Sequence, residues 1–405
     1  MPAAKQGALL VGQSGGPTAV INATLAGVVE EAQRREEFTA ILGMKYGLAG
    51  ALQGDFVDLT GMAADKLERL VRTPSCALGT SRRPLTQTDY ERMLNVLRAN
   101  GICYFLLIGG NGSMVACHKL ATLAEQTAFD VQILGLPKTV DNDVRGTDHT
   151  PGYGSAARFM AMSVRDAGLD LEAMRTFEEV VILESMGRDA GWLAASSGLG
   201  RETEEQAPHL LYLPEYAFDE TGFLDEVAGW HRRLGVVFVV AGESLRDKDG
   251  RFLGHEPSEL PQDEMGRTLY GFAQGTGSYL SRLVMQNLGL RARFMRPGTL
   301  GRVMSCCVSE TDRAEARFVG RRAVAALLDG ASGQMVMLER LSDDPYACQA
   351  GLVPLDEAAS GERLLSEAFY DAGRRAITPA FKKYALPLIG GPLPQVTGTL
   401  EVPVT

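Results

Sequence analysis

The heptapeptide Pro137-Lys138-Thr139-Val140-Asp141-Asn142-Asp143 sets two carboxylates two residues apart, just past an apolar run at 131–136 that reads as a buried strand. At a strand end Asp141 and Asp143 point the same way and crowd each other. One can act as a base toward a hydroxyl while its neighbour holds a metal ion. Lys138, three residues before Asp141, adds a positive charge suited to a phosphate. Base, metal ligand and phosphate clamp are the parts of a phosphoryl-transfer site. The competing reading is a turn, since Asp, Asn and Pro all favour turns, and one short motif does not decide between the two.

Two glycine-rich loops favour the first reading. The apolar run at 8–11 leads into Gly12-Gln13-Ser14-Gly15-Gly16-Pro17, with a helical pattern from residue 19. The run at 102–108 leads into Gly109-Gly110-Asn111-Gly112-Ser113, again before a helical pattern. Paired glycines between a strand and a helix let backbone N–H groups approach phosphate oxygens. Residues 12–16 also match G-x-S-x-G, the elbow of serine hydrolases. That reading puts a nucleophile at Ser14 after the first strand, whereas the elbow normally follows several, and no later histidine stands out as its base. A dinucleotide site lacks its G-x-G-x-x-G. Arg82, Arg188, Arg293, Arg296 and Arg302 stand at strand ends or beside glycines, positions suited to a phosphorylated substrate.

Strand-like runs at 8–11, 102–108, 131–136, 180–183, 210–213 and 236–241 alternate with helical patterns at 19–34, 89–100, 114–126, 154–170, 219–234 and 265–288. Such alternation implies an α/β fold of two doubly wound domains, with mostly parallel sheets and helices on both faces. Parallel sheets bind ligands at the carboxyl ends of their strands, which is where the motifs fall. The expected domains are 1–148, completed by part of 312–345, then 149–311, then a C-terminal extension at 346–405. A chain of 405 residues suits two domains. Its net charge of −10 argues against a nucleic-acid partner. No apolar run reaches the ~20 residues of a membrane helix, and the first residues lack the apolar core of a secretory signal. Six cysteines with no CxxC pair fit reduced thiols and a cytoplasmic protein. The five histidines show no metal-ligand spacing.

Ser14-Gly15-Gly16, Leu78-Gly79-Thr80-Ser81-Arg82, Gly109-Gly110-Asn111-Gly112-Ser113, Pro137-Lys138-Thr139-Val140-Asp141-Asn142-Asp143 and Met186-Gly187-Arg188 follow one another in the order found in phosphofructokinases. The resemblance spans about residues 7–330. It is closest to the short bacterial branch that includes pyrophosphate-dependent enzymes. It implies Mg²⁺-dependent transfer of a phosphoryl group to the 1-hydroxyl of fructose 6-phosphate, a step of glycolysis. By resemblance Asp141 is the base, Thr139 contacts the transferred group, and Asp143 and Asn111 hold the metal. Gly15, Arg82, Gly110, Asn111, Gly112, Ser113 and Lys138 would bind the donor. Met186, Gly187, Arg188 and Glu243 would hold the sugar, with Arg293 and Arg302 on its 6-phosphate. A homodimer or homotetramer is implied, with the donor site in 1–148 and the sugar site in 149–311.

Three positions depart from the family pattern. Asn111 stands where an aspartate usually acts through Mg²⁺, and an amide brings no charge to a metal. Gly112 stands where pyrophosphate users carry an aspartate that obstructs the nucleotide. Lys138 is the residue of pyrophosphate enzymes, where bacterial ATP enzymes carry glycine. Steric exclusion outweighs one added contact, so ATP is the expected donor and pyrophosphate the alternative. Glu179, by a direct count back from Met186, falls where many relatives carry a phosphate-binding arginine, and a carboxylate there would repel the 6-phosphate. Asn111 and Glu179 together also keep open a weakly catalytic regulatory subunit.

Overall fold

A computed structural model of the chain describes residues 5–254, 262, 266 and 275–399. In chain order its main strands are β1 (Gly7–Gln13), β2 (Phe38–Met44), β3 (Phe56–Asp58), β4 (Ile102–Gly109), β5 (Gln132–Pro137), β6 (Val180–Ser185), β7 (Leu210–Tyr212), β8 (Val237–Gly242), β9 (Ala292–Met295), β10 (Gln334–Asp343) and β11 (Tyr346–Pro354). The chain divides into two compact units. The first takes residues 5–155 and 302–363, with 262 and 266; the second takes 156–254, 275–301 and 364–399.

In the first unit the strand order is β11-β10-β5-β4-β1-β2-β3. β2, β1, β4, β5 and β10 run parallel, and β3 and β11 are antiparallel edges. Side chains alternate faces along a strand. Leu9, Val11, Leu106 and Ile108 therefore pack into one core, which also takes Leu25 and Val28 of the helix Ile21–Ala32 and Val319 of the helix Glu310–Leu328. Ala8, Leu10, Phe105 and Leu107 pack into the opposite core, with Met93 and Leu97 of the helix Gln87–Ala99 and Met114 and Leu120 of the helix Asn111–Gln126. A sheet covered on both faces has no polar side, which is why 8–11 and 102–108 read as unbroken apolar runs.

β2, β3, β9, β10 and β11 lie outside the runs expected from the sequence. β10 opens on the short apolar run at 335–338 and then turns polar, so that β10 and β11 form a half-exposed hairpin carrying Glu339, Arg340, Asp343 and Gln349. Residues 346–354, expected to open a separate C-terminal extension, instead complete the edge of the first sheet, with Met335 opposite Val353 and Leu338 opposite Ala350. Residues 364–399 belong to the second unit. Its four-stranded sheet, β7-β8-β6-β9, is wholly parallel. Val180, Ile182, Val237 and Val239 face a core shared with Phe223, Val227, Leu280 and Val284. Of the helix expected at 265–288, Gly275–Leu288 is helical; 265 and 267–274 lie outside the described residues. No described helix is long and apolar enough to cross a membrane.

His209, just before β7, is buried as a neutral ring. The Phe238 N–H donates to its Nδ1 (2.7 Å), so Nε2 carries the proton and donates to the Glu205 carbonyl (2.9 Å). Burial, helped by the charges of Arg201 and Arg233, lowers its pKa to about 4. Above pH 6.5 the folded and unfolded states are both neutral there, and the contribution to stability is complete. Between pH 6.5 and 4 only the unfolded chain takes the proton, so stability falls with pH, by up to about 3 kcal/mol from this group. Thermal unfolding should show the loss between pH 7 and pH 5, and His209→Gln should flatten that slope. An unchanged slope in the variant would refute the assignment.

Candidate active site

Parallel pairing brings the carboxyl ends of β1, β4 and β5 level, with Gln13 beside Ile108 and Gly109 beside Pro137. Ser14 N–H donates to the Ile108 carbonyl (2.9 Å), which carries the loop across the end of β4. Gly15 then turns at φ 77°, a conformation that favours glycine, and the Thr80 hydroxyl holds its carbonyl at 2.7 Å. Lys138 reaches over from the β5 loop, and its Nζ donates to the Gly16 carbonyl (2.9 Å). Guanidinium nitrogens of Arg82 and Arg302 lie 3.0 and 3.1 Å from where a Cβ on Gly16 would stand. Three cations from three segments thus ring one glycine loop, a cradle for phosphate oxygens.

Gly110 precedes the helix Asn111–Gln126, and the Ser113 and Met114 N–H groups close back on its carbonyl (2.9 and 3.1 Å). Asn111 Nδ2 donates to Asp143 Oδ2 (2.8 Å), tying this loop to the carboxylate segment. Asn111 Oδ1 is buried and has no partner among the described residues. The segment itself is held from behind. The Thr150 hydroxyl donates to the Thr139 carbonyl (2.7 Å) and its N–H to Asn142 Oδ1 (3.0 Å). Asn142 sits at φ 55°, with its carbonyl gripped by the Arg363 guanidinium (2.9 and 3.2 Å). Asp143 is buried and bonded; Asp141 is half-buried, and its carboxylate has no hydrogen bond or ion pair among the described residues. The two carboxylates of the motif are therefore unlike: Asp143 is buried and fixed by Asn111, whereas the Asp141 carboxylate carries no hydrogen bond or ion pair among the described residues.

In the second unit, Met186, Gly187 and Arg188 follow β6 and Glu243 follows the neighbouring β8, with Ser185 beside Gly242. Glu243 Oε1 accepts from the Gly187 N–H (3.2 Å) and the Arg188 N–H (3.0 Å). Those bonds hold an unusual backbone, since Gly187 sits at φ 138° and Arg188 at φ 50°. Glu243 is thus the anchor that aims Arg188. Glu243→Ala should lower kcat/KM for a substrate held by the Arg188 loop by about 30- to 100-fold, the effect of ~2–3 kcal/mol of charge-assisted bonding, and leave the KM of a substrate bound at the Gly16 loop unchanged. Glu243→Gln, which keeps the accepting oxygen, should lose far less. Equal losses in the two variants would rule out the anchoring role.

Other arginines and Glu179 fall elsewhere than expected. Arg293 pairs beside Val181, near the amino end of β6, and is bound by Asp170 (3.1 Å) and Glu178 (2.8 Å). Strand pairing thus sets it at the end of the sheet opposite Met186 and Arg188. Arg296 is the arginine at the carboxyl end of β9, one residue past Met295, in an ion pair with buried Glu184 (2.8 Å). The parallel register of β6 and β9 distinguishes the two, and that register is not local in sequence. Glu179 sits before β6, about 20 Å of strand from Ser185. It accepts from the Arg291 N–H (2.9 Å) and Nε (3.0 Å), so its charge is met far from Arg188. Arg302, expected on the 6-phosphate, instead shares the Gly16 loop with Arg82 and Lys138.

The family model for Phosphofructokinase matches residues 8–327. A pyrophosphate–fructose 6-phosphate 1-phosphotransferase of Xanthomonas campestris is 39% identical over 403 residues, covering 98% of this chain and 95% of the relative. A sulfofructose kinase of Alkalicoccus urumqiensis is 34% identical, covering 89% and 91%. The crystal structure of a pyrophosphate-dependent phosphofructokinase from Nitrosospira multiformis superposes with a TM-score of 0.85 at 32% identity, covering 97% of this chain and 94% of that one. The converging strand ends and the matched length agree: this chain belongs to the phosphofructokinase family.

Proposed function

We propose that the protein transfers a phosphoryl group to the 1-hydroxyl of fructose 6-phosphate, with ATP as donor. The observation that carries the transfer is the Asp141 carboxylate, which has no hydrogen bond or ion pair among the described residues, on the segment whose Lys138 helps ring the Gly16 loop. Asp141 takes the hydroxyl proton, Thr139 steadies the moving group, and Lys138, Arg82, Gly15 and Gly110–Ser113 hold the donor phosphates. Arg302 joins them by its place beside Gly16. Arg302→Ala should therefore cost about 2–3 kcal/mol in kcat/KM for the donor. A rise in the sugar-phosphate KM instead would return it to the 6-phosphate. Met186, Gly187, Arg188 and Glu243 hold the sugar.

Asp143 and the orphaned Asn111 Oδ1 fit Mg²⁺, one carboxylate and one neutral oxygen from adjacent loops. When bound, the ion neutralises phosphate charge as it moves. A homodimer or homotetramer in the cytoplasm is the setting the family resemblance suggests.

The choice of ATP rests on a cavity of about 330 Å³ in the first unit, lined by Ser14, Gly112, Leu48, Leu85, Tyr90 and Ala116 among others. It lies beside the donor loop; Leu48, Leu85, Tyr90, Val115 and Ala116 suit a planar base, and Arg83 and Lys119, which also line it, suit the phosphates of a nucleotide. Pyrophosphate has no part to fill it. Pyrophosphate remains the second reading, favoured by buried Lys138 in the loop and by the activity named for the Xanthomonas relative. The acceptor is tested by comparing fructose 6-phosphate with its sulfonated analogue and other sugar phosphates. Fructose 6-phosphate should have the highest kcat/KM and give the 1,6-bisphosphate. Preference for the sulfonate would overturn the acceptor.

A further inference from the structure

A second cluster of chemically versatile groups lies in the first unit, outside the residues assigned above. His149, Glu315 and Cys348 come from the loop after β5, the helix Glu310–Leu328 and β11. One donor atom from each lies within 4.8 Å of the other two. His149 and Glu315 are buried and Cys348 is half-buried, at the edge of the sheet. We propose that these three side chains form a binding site for a Zn²⁺-class divalent cation, with water completing the tetrahedron.

Several features separate this cluster from a chance meeting of polar groups. Asp148 Oδ2 lies 2.7 Å from His149 Nδ1, the carboxylate–histidine contact that fixes a ligating imidazole with Nε2 presented to the metal. Tyr346 donates to Glu315 Oε1 (2.6 Å), which leaves Oε2 facing His149 Nε2 at 2.7 Å. Arg340 pairs with Asp148 (3.1 Å) and balances its charge. A divalent ion with one thiolate, one carboxylate and a neutral imidazole closes at zero net charge. Donors about 2.0–2.3 Å from a tetrahedral Zn²⁺ stand roughly 3.3–3.7 Å apart. The His149–Glu315 pair must therefore open by about half an ångström and the widest pair close by about one, within reach of side-chain rotation. Sulfur and imidazole donors exclude Mg²⁺ and Ca²⁺, which take oxygen.

Without the ion, burial disfavours charge on His149, but Glu315 and Asp148 outweigh it and hold its pKa up to about 9. Burial and Glu315 push the Cys348 thiol up to about 12. The ion displaces the shared proton at Nε2 and the thiol proton, so binding releases protons. Its structural effect would be to pin β11 and the helix Glu310–Leu328 to the residue beside Thr150, which holds Thr139 and Asn142 in place.

The test uses the full-length protein, stripped with a chelator and titrated with Co²⁺ and then Zn²⁺. One equivalent of Co²⁺ should bind with a thiolate-to-cobalt charge-transfer band in the near ultraviolet, and Zn²⁺ should displace it. Cys348→Ser should abolish the band and weaken Zn²⁺ binding at least tenfold. The double variant Cys306→Ser, Cys307→Ser should keep it. In the unaltered protein Zn²⁺ should protect Cys348, but not Cys306, from alkylation read by mass spectrometry. Absence of a thiolate band, a band that survives Cys348→Ser, or unprotected alkylation of Cys348 would each overturn the site.

Discussion

Asp141→Ser lowers kcat by at least ~10²-fold while leaving the fold intact. General-base removal typically costs that much, and serine cannot take the hydroxyl proton at neutral pH. The structural reason for expecting so clean a separation is that the Asp141 carboxylate has no hydrogen bond or ion pair among the described residues. Its backbone N–H donates to the Thr139 hydroxyl (3.1 Å), and serine keeps that bond. The midpoint of thermal unfolding should therefore stay put, with a stability change within about 0.5 kcal/mol. Both KM values should change little, because the phosphate-binding cations and the Glu243–Arg188 anchor are untouched. Steady-state kinetics and a melting curve on one preparation decide the matter. Turnover near that of the parent protein would remove Asp141 from the chemistry.

Gly112→Asp abolishes ATP use, with a loss of ~10²-fold or more in kcat/KM, and spares pyrophosphate. Gly112 lines the cavity that would take the base, together with Ser14 of the donor loop. A carboxylate there both occupies space and places a negative charge against the nucleotide's phosphates. Lys138 still presents its ammonium to the Gly16 loop, so a pyrophosphate oxyanion keeps its partner. The complementary change, Lys138→Gly, should weaken pyrophosphate use more than ATP use. The measurement is kcat/KM for both donors in all three proteins. Parallel losses for the two donors in Gly112→Asp would show that the cavity does not take the base.

What could be read in the sequence was what is written locally. A buried parallel strand is a continuous apolar run, and a phosphate loop is glycine just after it, so β1, β4 and β5 with their loops were legible. β10 and β11 went unread: the run at 335–338 is as long as that at 8–11, but it gives way at once to Glu339 and Arg340 in a hairpin half open to solvent. Spacing also misled over Arg293 and Glu179. Only strand pairing shows that Val181 and Arg293 share one end of the sheet, while Arg296 and Ser185 lie toward the other. The pairing of Asn111 with Asp143 joins residues 32 apart. His149, Glu315 and Cys348 are farther apart still, and no motif spacing connects them.

The most direct test is a side-by-side assay of the unaltered protein with fructose 6-phosphate, Mg²⁺ and either ATP or pyrophosphate, reading the bisphosphate formed. Turnover with a higher kcat/KM for ATP than for pyrophosphate is expected. Turnover with pyrophosphate alone would contradict the reading of Gly112 and its cavity, and no bisphosphate with either donor would contradict the assignment of phosphoryl transfer itself.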